Sequence, residues 1–126
     1  MEKGTKTYRD LKVWQLGIEL VKDIYRLSDK LPQQELYGLK SQMRRSAVSI
    51  PSNIAEGFRR FHNKEYVRFL RISLGSCAEL ETLITIAKEL RYIGPDEETK
   101  FLEQLNQESG MIMNLMKKVT AKTKKF

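Results

Sequence analysis

The sequence predicts an all-α protein: one domain over residues 1–126, folded as an up-and-down antiparallel four-helix bundle. Three observations carry this expectation. Apolar residues recur every three or four positions through four long segments, with almost no strand-like alternation. The connections are short and marked by proline or glycine, which makes sequential helices antiparallel neighbours. A chain of 126 residues, 40% hydrophobic and 31% charged, suits a single domain with a real core.

The first segment spans about 10–28, with Val13, Leu16, Gly17, Leu20, Ile24 and Leu27 on one face and Asp10 as its expected N-cap. Pro32 follows in "DKLPQQE", where it closes the first helix and opens the second. The second segment, about 33–60, carries Leu36, Leu39, Met43, Ala47, Ile50, Ile54, Phe58 and Phe61 in unbroken helical phase. Pro51 falls inside that phase. A loop would reset it, and Ile50 is a poor N-cap for a new helix, so the expectation is a helix kinked at Pro51. Ser49, Ser52 and Asn53 are the candidates to satisfy the Ala47 carbonyl that proline leaves without a donor.

The third segment runs from about 64 to 91 behind Asn63 as expected cap, and "IGPDEE" ends it. It carries two apolar seams. Tyr66, Leu70, Ser73, Cys77, Leu80, Ile84 and Ala87 form one; Phe69, Ile72, Ser76, Leu83, Ile86 and Leu90 form the other. A helix on the outside of a bundle needs a single buried stripe, so the second points either to a very wide burial angle or to a contact with another chain, and self-association is the more economical of the two. The fourth segment, about 96–119, opens on the acidic turn "DEE" and carries Phe101, Leu102, Leu105, Ile112, Leu115, Met116 and Val119. The remaining "TAKTKKF" reads as a disordered basic tail.

Net charge is +7, and all of the excess lies in the first part: residues 1–75 hold 15 Lys and Arg against 8 Asp and Glu, while residues 76–126 hold 8 of each. Such an imbalance favours polyanionic partners such as RNA or DNA, although a charged face also serves solubility alone. Cys77 is the single cysteine, no signal-peptide pattern is seen, and no apolar run approaches the roughly 20 residues of a membrane span. A cytoplasmic protein without a membrane partner is expected.

"YRDLKVWQLGIELVKDIYRLSDKLP", "YGLKSQMRRSAVSIPSNIAEGFRR", "EYVRFLRISLGSCAELET" and "AKELRYI" together resemble the four-helix bundle family encoded by intervening sequences of bacterial 23S rRNA genes, the S23 ribosomal protein family. The resemblance reaches to about Ile93 and is most specific in "SIPSNIAEG" and "LGSCAELET". It implies a bundle that assembles into a homopentamer. It also implies similarity to the accessory variability protein of diversity-generating retroelements, a basic pentameric barrel that binds nucleic acid and a reverse transcriptase. It implies no reaction.

Lys64, Arg68 and Arg71 share a face at the start of the third helix, and Arg59 and Arg60 end the second, so these five form the candidate nucleic-acid-binding rim. Phe61, His62 and Tyr66 supply rings beside them for stacking on an unpaired strand; the alternative is a solvated face with its aromatics turned inward. Arg44 and Arg45 flank core position Met43, so Arg45 is expected to pair with Glu56 or Glu79 as a structural clamp. Asn53 is read as a core hydrogen-bonder. No catalytic residue, metal site or cofactor is expected: His62 is the only histidine, Cys77 the only cysteine, and no Gly-rich phosphate loop appears. Arg59 and Arg60 lie three and two residues before His62, too close for the Arg-to-His spacing of helical-bundle ribonucleases. Two functions remain, a nucleic-acid-binding accessory protein and a scaffold that recruits a protein partner.

Overall fold

The computed structural model describes residues 5–124, with side chains through residue 122. Four helices make up the bundle: α1 Lys12–Ser28, α2 Leu39–Phe58, α3 Asn63–Glu89 and α4 Pro95–Lys124. Short 3₁₀ turns at Tyr8–Asp10 and Gln33–Glu35 precede α1 and α2, and there is no strand among the described residues. Gly17 faces Pro51, Ser46 meets Glu79, Ser49 meets Ser76, and Gln104 reaches Asp23. Ser28 likewise meets Arg44, Glu108 approaches Gly17, and Cys77 lies by Ser109 as Leu74 does by Met113; within each helix pair one number rises as the other falls, so neighbouring helices run antiparallel and the topology is up-and-down.

The core follows the expected phase closely. Val13, Leu20, Ile24 and Leu27 of α1 meet Met43, Ala47, Ile50 and Ile54 of α2, all of them buried. The first seam of α3 is buried along its whole length, from Tyr66 to Ala87. Pro51 lies inside an uninterrupted α2, buried, with its ring against Gly17 of α1. A methyl at Gly17 would stand 3.2 Å from the proline Cβ, so the missing side chain lets α1 settle over the ring. The polar residues of this turn do not serve the Ala47 carbonyl. Asn53 Nδ2 donates to the Ser49 carbonyl at 2.8 Å and the Ser73 hydroxyl to the Ile50 carbonyl at 2.8 Å.

Several boundaries differ from the expectation. Asp10 is not the α1 cap; its carboxylate accepts from the Lys6 and Thr7 amides at 2.9 and 3.1 Å, closing a capping box on the preceding 3₁₀ turn. Those bonds hold its carboxyl below the usual range. The second helix begins at Leu39, not 33, because Glu35 caps it from outside: Oε1 accepts the Leu39 amide at 3.2 Å while Oε2 accepts the Tyr92 hydroxyl at 3.0 Å. Leu36 is therefore exposed in the turn, and Phe61, expected in helical phase, falls beyond the end of α2. Asn63 is the first residue of α3, and its cap position is taken by His62 without a side-chain bond. Helix α3 ends in a Schellman turn, Tyr92 N to the Ala87 carbonyl and Arg91 N to that of Lys88, both 2.9 Å, with Arg91 in the left-handed region at φ 64°. The tail expected to be disordered instead continues α4 to Lys124, directly following buried Val119, with Ala121, Lys122 and Lys124 as good helix formers; residues 125–126 lie outside the described residues.

Candidate nucleic-acid interface

The up-and-down topology gathers four helix termini at one end: the start of α1, the end of α2, the start of α3 and the end of α4. In sequence order these carry Arg9 and Lys12, then Arg59 and Arg60, then Lys64, Arg68 and Arg71, then Lys117, Lys118 and Lys122. Among the described residues, only Asp10, Glu56 and Glu65 oppose them there. The opposite end carries the acidic first turn of α4 and the pairs Lys30–Glu97 and Arg44–Asp29, so the bundle is charged asymmetrically along its axis.

All five rim residues expected from the sequence are exposed and come together at this end. Gly57 is the reason that α2 delivers its arginines there. A methyl on it would stand 2.9 Å from the Phe69 Cβ and 3.1 Å from the Tyr66 carbonyl, so the end of α2 lies directly on the start of α3. Arg60 sits over the Phe69 ring at 4.6 Å and Arg68 over the same ring at 5.7 Å. Their carboxylate contacts are exposed and long: Arg60 to Glu56 at 3.4 Å, Arg68 to Glu65 at 3.3 Å. Lys64 and Arg71 have no carboxylate partner among the described residues.

Sequence reading missed the other half of this surface. Arg9 lies over Tyr8 and Trp14 at 5.6 and 5.3 Å, and Arg59 over Tyr8 at 5.5 Å. Tyr8, Phe58 and Tyr66 continue edge-to-face into the core, with centroids 6.5 and 6.1 Å apart. Four arginines therefore rest on rings anchored in the bundle, which holds each guanidinium plane while leaving donors free. The signal available was topological: an antiparallel bundle must bring the α4 lysines and Arg9 to the end where α2 meets α3.

The expected polar network is rearranged. Arg45 is exposed and pairs with neither Glu56 nor Glu79. Arg44 is the clamp instead, donating to Ser28 Oγ and Asp29 Oδ1 at 2.8 Å each and lying 4.4 Å above the Tyr25 ring. The difference is rotational: Arg44 is turned toward α1, whereas Arg45 faces outward. Glu79 accepts from Ser46 Oγ at 3.0 Å, Glu56 faces Arg60, and Asn53 is half-buried with its amide on Ser49.

Two buried groups lie apart from the rim. Glu108 of α4 is 2% exposed, and neither carboxylate oxygen has a hydrogen-bond partner; burial pushes its carboxyl up to about 8. Burial also pushes the Cys77 thiol up to about 11, leaving it protonated and unreactive. Among the described residues no three His, Cys, Asp or Glu side chains are grouped to hold a metal ion, and no helix is long and apolar enough to cross a membrane.

Fold and surface together define a helical-bundle protein with one strongly cationic end. The chain belongs to the 23S rRNA-intervening sequence protein family, whose profile matches residues 9–114. A similar solved structure is a Bacteroides thetaiotaomicron protein of unknown function from the S23 ribosomal protein family. It is 21% identical, with a TM-score of 0.77 over 83% of this chain and 98% of that one, a likeness that shows the fold. No curated protein matches.

Proposed function

We propose that the protein is a non-enzymatic nucleic-acid-binding accessory factor whose contact surface is the cationic end of the bundle. The observation that carries this reading is the convergence of ten basic side chains from four helix termini against three acidic ones. Phosphate backbones bind such surfaces by counterion release, and stacked arginines present donors at low entropic cost. The family's name, which refers to 23S rRNA, is consistent with an RNA partner in a cytoplasmic setting.

Self-association supports the same function by repeating a weak site around a symmetric ring. The second seam of α3 favours it. Ser76 and Leu83 are buried within the chain, but Ile72, Ile86 and Leu90 remain 43%, 40% and 52% exposed. The pentameric number follows from the family resemblance. Electrophoretic titration with a structured RNA and a duplex DNA at low salt, paired with light scattering, tests the reading. Binding by an oligomer is expected; no shift with either probe overturns it in favour of the protein-recruiting scaffold, whose ligand a pulldown from the native host recovers.

A further inference from the structure

Among the described residues, every Phe, Tyr and Trp ring at the cationic end but one has a ring or cation partner within the chain. Tyr8, Trp14, Phe58 and Tyr66 form an edge-to-face series, and Phe69 lies beneath two guanidinium groups. The exception is Phe61, in the turn between α2 and α3. It is 100% exposed and touches no other ring or cation among the described residues. Its sequence neighbours are Arg59, Arg60, His62 and Lys64.

An isolated exposed phenylalanine is unremarkable on most surfaces, but its setting here is specific. The turn is bounded by backbone bonds that close the adjoining helices, Arg60 N to the Gly57 carbonyl and Tyr66 N to that of His62, 3.1 Å each, so the ring is carried on a short tip between two helix ends. The surrounding field attracts phosphates. What phosphates bring with them, when the strand is unpaired, is an accessible base face. In an uninterrupted duplex the bases are already stacked, and the ring gains nothing.

Building on the proposed nucleic-acid reading, we infer that Phe61 is a stacking platform for an unpaired base, so that the ligand class is a single strand or a loop rather than continuous duplex. Arg59 and Arg60 on one side and Lys64 on the other hold the flanking phosphates, and the ring takes one base without reading its identity.

The test is fluorescence anisotropy with single-stranded, hairpin-loop and blunt-duplex probes of equal charge, as RNA and as DNA, against the full chain, Phe61→Ala and Phe61→Trp. The expected result is tighter binding of single strand and loop than of duplex. Phe61→Ala should lose about tenfold on the unpaired probes only, with duplex binding and salt dependence unchanged and Phe61→Trp restoring affinity. Equal loss on all probes, or none, overturns the inference while leaving a nucleic-acid surface in place. A fall in oligomeric mass of Phe61→Ala by light scattering also overturns it, assigning the ring to a second copy of the chain. Failure of every probe to bind overturns the underlying reading and this one with it.

Discussion

Glu108 shows how a single residue departs from the pattern around it. Phe101, Leu105, Ile112 and Val119 are buried on α4, and position 108 belongs to the same spacing of four and three. Its Oε2 lies 3.1 Å from where a Gly17 Cβ would stand, beside Pro51. A carboxylate there without donors is costly, so the proton is retained and the carboxyl titrates near 8. Unfolding releases it to an ordinary glutamate near 4.5. Between those values the folded state binds the extra proton, so stability falls as pH rises from about 4.5 and levels off above about 8. Thermal unfolding across pH 5 to 9 should show a declining midpoint that Glu108→Leu removes. The variant should also gain about 2–4 kcal/mol at the alkaline end, where wild-type Glu108 is ionised. An unchanged slope in Glu108→Leu would assign the pH dependence elsewhere. Position 108 falls on the buried spacing, but sequence reading missed it because a glutamate there looks like one more exposed acid.

At the scale of the element, the α2–α3 seam is the most extensive helix contact and the one that positions the interface. Small residues line it: Ser46, Ser49 and Gly57 from α2 face Glu79, Ser76 and Phe69 from α3. Gly57→Ala should destabilise the protein by about 1–3 kcal/mol, because its methyl would meet Phe69 Cβ at 2.9 Å and backbone at 3.1 Å. Chemical denaturation checks this, and a neutral effect would mean that the seam relaxes freely. Helix identity, the passage of α2 through Pro51 and the first seam of α3 were legible because phase is a property summed over many residues. Boundaries were not. Glu35 capping Leu39 from outside the helix, and Thr7 with Asp10 closing a box one turn early, depend on side-chain bonds that periodicity does not encode. The choice between Arg44 and Arg45 as clamp turned on 100° of helix rotation, finer than an apolar pattern resolves.

At the scale of the whole molecule, helical spacing puts Lys64, Arg68 and Arg71 on one face and the turn sets Arg59 and Arg60 beside them, while the fold adds Arg9, which shares the Tyr8 ring with Arg59. Of the α4 lysines, Lys122 fell in the expected tail, while Lys117 and Lys118, inside the expected helix, were not linked to the rim; the continued α4 carries all three toward the same end. Charge that looks evenly balanced in the second half of the chain is thereby sorted by the fold, acidic at the start of α4 and basic at its close. The proposed function requires this cationic end to engage phosphates. The most direct measurement is the slope of log binding constant against log salt for a structured RNA, in wild type and in Arg68→Ala with Arg71→Ala. A slope of about −3 or steeper, made shallower by about one for each arginine removed, is the result expected. Salt-independent binding, or a slope indifferent to both substitutions, would contradict it.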